Sequence, residues 1–238
     1  KKTALAVCDE AIRRFPESFG ANNCKYLQSL IKAKALTFNV EEANLPDKPF
    51  RVRIQYNNIN KIYLRVIKHD ADKFTKDIEN YYGEKLIKKF LSAPVVKEWS
   101  VDLPVDGDHQ SHSVEIKVDG LPFGHYVILS GTDKSFSYEK NGIAYGNIFV
   151  TNLSYVQRRT EDGGYDFTVM HREKGNALMG VNAQLWYQSY NYVLRKYEYK
   201  KGGSHTTDEN GAFHVLPSSD SYQNYYVEFT SGSDKLYS

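Results

Sequence analysis

The chain has 238 residues, with 31 Lys and Arg against 29 Asp and Glu, and 14% aromatic residues that include 19 Tyr and 12 Phe. Such a length suits two domains of ~100–150 residues, each able to bury a core without metals or disulfides. The near-neutral charge, with no basic stripe, argues against a nucleic-acid partner. No apolar run approaches the ~20 residues of a spanning helix, so no direct membrane insertion is expected.

Residues 3–33 read as two helices. Ala4, Leu5, Val7, Ala11 and Ile12 recur at helical spacing, and Arg13-Arg14 favour a helix C-terminus. Phe15-Pro16-Glu17-Ser18 breaks the pattern, and Tyr26, Leu27, Leu30 and Ile31 mark a second helical face. The pair resembles the end of a helical-repeat array; a linker packed on the next domain fits equally. Cys8 and Cys24 each lie eight residues from Pro16, so a hairpin brings them within bridging reach. Two readings stay open: a disulfide, which an exported protein could form, or two buried thiols packed as small hydrophobes.

From Leu36 the period falls to two. Leu36-Phe38-Val40, Phe50-Val52-Ile54-Tyr56, Ile62-Leu64-Val66, Trp99-Val101-Leu103 and Val114-Ile116-Val118 alternate with polar neighbours, and Tyr126–Leu129 and Ile148–Val150 complete the set. Turn signals such as Asp106-Gly107-Asp108 and Asp119-Gly120 separate them. These short strands predict a first β-sandwich over 35–151. Residues 72–92 depart from the strand period: Phe74, Ile78, Tyr82, Leu86 and Phe90 sit at four-residue steps, started by Asp70 or Asp72 and stopped by Pro94. They predict a helical insertion packed on that sandwich.

After Asn152 the strand period resumes. Segments 153–156, 167–170, 181–187, 192–199, 213–216 and 225–229 predict a second sandwich over 152–238, with a further strand starting near Asp234. The fold class expected is therefore mainly β: two tandem immunoglobulin-like antiparallel sandwiches behind an N-terminal helical hairpin, 1–34.

The sequence carries no Gly-x-Ser-x-Gly elbow, His-Glu-x-x-His or phosphate-cradling Gly-x-x-x-x-Gly-Lys. No catalytic residue, cofactor or metal site is expected. The loop holding Asp108, His109 and His112 has ligand chemistry, but a solvated turn accounts for the same residues. In the run from Leu185 to Tyr192, Ala183, Leu185 and Tyr187 form a consistent inward face, which turns Trp186 outward. Trp186, Tyr190 and Tyr192 are thus a candidate binding surface for a sugar ring or a protein, against the alternative of cross-strand packing.

Two stretches carry a family resemblance. Leu121-Pro122-Phe123-Gly124-His125-Tyr126 resembles the Leu-Pro-x-Gly-x-Tyr turn of macroglobulin domains. Gly175-Asn176-Ala177-Leu178-Met179-Gly180, followed by Thr207-Asp208-Glu209-Asn210-Gly211-Ala212-Phe213, is similar to the paired motifs of bacterial, Bacteroides-type alpha-2-macroglobulin-like proteins, with Ala177 replacing the usual proline. Asp208 can close an Asx-turn, and Gly211 can take positive φ to turn Phe213 into the core. The resemblance implies a non-catalytic structural module of a large exported periplasmic or cell-envelope protein, its signal or anchor outside these residues. Its partners would be the parent's other domains and, through the parent, trapped proteases. No Cys-x-Glu-Gln thioester is recognisable here. An adhesin or glycan-binding sandwich using the exposed aromatics is the alternative.

Overall fold

A computed structural model of the chain describes residues 1–138, 142–216 and 224–238. Helices α1 (Lys2–Arg14) and α2 (Phe19–Lys32) pack as a hairpin around Pro16, with Ser18 Oγ accepting from Ala21 N at 3.1 Å as the N-cap of α2. The last turn of α2 is tied down by Asn58, whose Nδ2 donates to the carbonyls of Ile31 and Ala33.

The first sandwich comprises β1 (Ala35–Val40), β2 (Ala43–Asn44), β3 (Phe50–Asn57), β4 (Lys61–Lys68), α3 (Ala71–Asn80), α4 (Gly83–Leu91), β5 (Val95–Asp102), β6 (His112–Val118), β7 (Gly124–Gly131) and β8 (Ala144–Val150). One sheet runs β1-β3-β6; the other runs β2-β8-β7-β4-β5, antiparallel except where β2 meets β8. Between them the alternating residues of β3 and β4 interlock: Val52, Ile54, Ile62, Leu64 and Val66 are all buried with Ile128 and Ile148.

The insertion between β4 and β5 covers the outer face of the larger sheet. Phe74, Leu86, Ile87 and Phe90 pack on Ile67, Val127 and Leu129. It is two helices rather than the continuous span expected over 72–92. Asp70 caps α3 through Lys73 N at 3.1 Å. Extended backbone at Tyr81 and Tyr82 ends α3, and Gly83, at φ +57, opens α4 in a region that favours glycine.

The second sandwich comprises β9 (Leu153–Arg159), β10 (Tyr165–His171), β11 (Asn182–Asn191), β12 (Lys196–Thr206), β13 (Ala212–Val215), β14 (Tyr225–Ser231) and β15 (Asp234–Tyr237). Sheet β13-β10-β9 faces sheet β12-β11-β14-β15 over a core built on Leu153, Phe167, Val169, Ala183, Leu185, Val227 and Phe229. The chain is mainly β, with two antiparallel sandwiches in tandem. Several strand ends differ from expectation: β5 starts at Val95 rather than Trp99, β11 runs on to Asn191, and β12 spans Lys196–Thr206 rather than 192–199. Tyr192–Arg195 is a turn, not strand, because Asn191 Oδ1 accepts from the backbone N–H groups of Val193 and Leu194 at 3.0 Å and reverses the chain. No described helix is long and apolar enough to cross a membrane.

Both quoted motifs act as folding devices. Tyr126 is buried and its hydroxyl donates back to Pro122 O at 2.9 Å, across the turn that Gly124 opens at φ +152. Asp208 Oδ1 accepts from the N–H groups of Asn210 and Ala212, both at 2.8 Å, and Gly211 takes φ +71. Phe213 then stacks on Phe167 with centroids 5.0 Å apart.

Candidate functional site

The polar chemistry concentrates where the second sandwich meets the first. Only Thr151 and Asn152 separate β8 from β9, and they are tied to both sandwiches. Thr151 N donates to Asn44 O at 2.8 Å, while its hydroxyl donates to Asp234, whose other oxygen accepts from Asn152 N at 2.9 Å. Thr151 and Asp234 are buried, and that burial raises the Asp234 pKa above the ordinary carboxylate value.

From this junction a seam runs along the outward face of β11, β14 and β15. Period-two alternation places Trp186, Tyr226 and Tyr237 there, and α3 lies against them. Tyr237 stacks on Phe149 of β8 at 5.6 Å, and its hydroxyl donates to Asp72 at 3.2 Å. Glu79 of α3 accepts from Gln188 Nε2 at 2.7 Å and from the Tyr199 hydroxyl. Burial, followed by nearby carboxylates, pushes the Tyr199, Tyr226 and Tyr237 phenols well above their usual range, so they stay neutral. Beside these contacts lies an open cleft of about 500 Å³ between α3 and the sheet, lined by Asp72, Thr75, Lys76, Trp186, Tyr197, Tyr199 and Tyr226 among others.

Trp186 points outward as its alternation predicts, but its surroundings occupy it. Its ring stacks on Tyr226 with centroids 6.3 Å apart, Lys201 Nζ sits 5.5 Å over it, and Nε1 donates to Glu228 at 2.9 Å. Burial works to raise the Glu228 pKa, but the bonds from Lys235 and Trp186 outweigh it and hold the carboxyl below its usual value. Tyr190 and Tyr192 lie farther along the hairpin, 41% and 84% exposed, and pack on each other at 5.1 Å. The three aromatics therefore do not form one open platform.

In the loop before β6, His112 Nε2 lies 2.9 Å from Asp108 and 3.4 Å from Asp106. The Gln110 N–H and His112 bring the Asp108 pKa down to about 2, and Asp108 in turn raises that of His112. The group is a hydrogen-bonded turn with the donor set of a metal ligand cluster. His109 turns away from it to bond Asn58 Oδ1 at 2.7 Å. The Cys8 and Cys24 thiols face each other across the helical hairpin within hydrogen-bonding reach, both free, and burial followed by Cys24 pushes the Cys8 thiol up.

No sequence signal marked Asp234, Thr151, Glu79 or Tyr237. Their partners lie 83, 120 and 165 residues away along the chain, beyond the reach of any local pattern.

No family model and no curated protein matches the sequence. Among solved structures, similar ones include a Salmonella alpha-2-macroglobulin mutant (9% identity, 87% of this chain and 16% of that one, TM-score 0.37). A red sea bream transglutaminase matches at 10% identity over 93% of this chain and 33% of its own, TM-score 0.35. The CARDB domain of a Pyrococcus furiosus protein, solved with di-metal ions, matches at 13% identity over 50% of this chain and 92% of its own, TM-score 0.28. This chain spans a small part of the first two.

Proposed function

We propose that this chain is a non-catalytic structural module of a large exported alpha-2-macroglobulin-like protein of the periplasm or cell envelope. Its two sandwiches form part of the parent's shell around a captured protease. The seam carries this reading. A scaffold needs a stable core in each domain and a fixed angle between neighbours, and the seam spends its polar groups on that angle: Asp234 on the junction, Glu79 and Asp72 on the facing tyrosines. The macroglobulin-type motifs, both engaged in turns, support the same assignment. The remaining domains of the parent are the partners this requires; no cofactor enters.

Asp234→Ala tests it. The change leaves the Thr151 hydroxyl and Asn152 N–H without their acceptor, a cost of about 1–3 kcal/mol. We expect small-angle scattering to show a broadened distribution of inter-domain distances, with each sandwich still folded. An unchanged distribution, or a wild-type chain already as loose as two domains on a flexible tether, would refute the rigid-module reading. In the full-length parent, the same variant should weaken retention of a trapped protease.

A further inference from the structure

The hairpin joining β11 to β12 outgrows its sheet. Pairing of β11 with β14 ends at Tyr187↔Tyr225, and Gln188 N makes one more bond to Asn224 O. Pairing with β12 runs on to Asn191↔Lys196. The last residues are thus a two-stranded ribbon, and at its apex Tyr192, Val193 and Leu194 are 84%, 90% and 57% exposed. Three consecutive apolar side chains at the end of a projection are costly in water, and here they are held outward. Asn191 Oδ1 caps the turn through Val193 N and Leu194 N, and Tyr190 braces Tyr192 on one side and Tyr197 on the other, each at 5.1 Å.

Behind the apex cations predominate, although Glu79 of α3 reaches the base of the ribbon at Gln188 and Tyr199. The ribbon from Gln188 to Tyr199 carries Arg195 and Lys196 against its own single carboxylate, Glu198, and Lys200 and Lys201 follow where β12 rejoins the sheet opposite Tyr187 and Trp186. Glu198 accepts from Asn191 Nδ2 at 3.1 Å. The four cations are exposed and have no carboxylate partner among the described residues. An apolar apex, a tyrosine collar and a cationic base, in that order along one projection, match the layers of an anionic lipid surface: acyl boundary, interface and headgroup. A convex tip fits a fluid layer, whereas a protein partner would need a matching groove.

We propose that the Tyr192-Val193-Leu194 tip docks the chain on an anionic membrane surface, entering only the interfacial layer. This revises the expectation of no membrane insertion. That expectation rested on the absence of a long apolar run, a criterion that a three-residue tip escapes. The proposal is independent of the seam and of the scaffold reading.

The test is flotation of the full 238-residue chain with vesicles of equimolar phosphatidylglycerol and phosphatidylcholine, beside pure phosphatidylcholine. We expect binding to the anionic vesicles that weakens as salt is raised. The triple variant Y192S/V193S/L194S should bind at least about tenfold more weakly, since each serine forfeits apolar burial. R195Q/K196Q should lose about fivefold per cation at low salt. All these positions are exposed, and unchanged circular dichroism and melting would confirm that the variants fold. Absence of flotation, or a triple variant that floats like wild type, overturns the proposal. So does a wild type that ignores vesicles yet self-associates in sedimentation through the same three residues, which would make the tip a protein contact.

Discussion

The outward faces of the two larger sheets are built from the same pleat and covered differently. In the first sandwich, α3 and α4 lie across the sheet, so every residue of β7 from His125 to Gly131 is buried. The strand there reads as a run, His-Tyr-Val-Ile-Leu-Ser, because both of its faces meet protein. In the second sandwich β11 alternates over its first half: Ala183 and Leu185 are buried while Gln184 and Trp186 stay partly exposed. Its outward face meets the edge of α3, and tyrosines hold it, since a phenol packs with its ring and stays wet at its tip. Full cover selects aliphatic and Phe side chains; partial cover selects Tyr and Trp with hydrogen-bond partners.

Truncation should expose that difference. Phe90 is fully buried, stacked on Phe74 at 5.8 Å, and Phe90→Ala should cost about 3–5 kcal/mol in chemical denaturation. Trp186→Ala, on the partly covered face, should cost about 1–2 kcal/mol, for lost packing on Tyr226 and one lost bond to Glu228, which keeps Lys235. Equal losses would mean that the seam is as closed as the insertion. The helical hairpin outside both sheets offers a control. Joining Cys8 to Cys24 closes a loop of about 15 residues, and the entropy model gives ~3 kcal/mol of stabilisation. A gain in melting temperature under oxidant that Cys24→Ser abolishes would check it.

The smallest effect concerns pH. Burial holds the His125 pKa below the ordinary imidazole value, with the ring bonded to His69 O at 3.1 Å and to Asn147. The unfolded chain therefore takes up a proton that the fold resists, and stability drops as pH falls through ~6.5. His112 and His214 act with the opposite sign, because their carboxylate partners raise their pKa values. Both are more exposed, so solvent screens them. A denaturation series from pH 7.5 to 5 should show a decline that His125→Gln flattens; an unchanged slope would locate the titration elsewhere.

Much of this architecture was legible in the residues. Period-two alternation marked the strands, four-residue steps the insertion and Pro16 the hairpin turn. The Asp208–Gly211 spacing marked a turn that the backbone adopts. These are local rules, set by side-chain direction over a few residues. The outward aim of Trp186 followed from the same alternation. Its loss of free surface did not, because Tyr226, Glu228 and Lys201 reach it only through strand pairing. The break before Gly83 and the turn at Tyr192 escaped because the apolar period runs through both, while a positive φ and an Asn191 side-chain bond override it. Local chemistry determined which segments are strands and helices and which side of each is apolar. Tertiary structure alone decided that Asp234 meets Thr151, that Glu79 meets Tyr199, and that one aromatic stripe is half covered while Tyr192-Val193-Leu194 stands free. Those contacts join residues far apart in the chain, and their energy exists only once both sandwiches have folded and met.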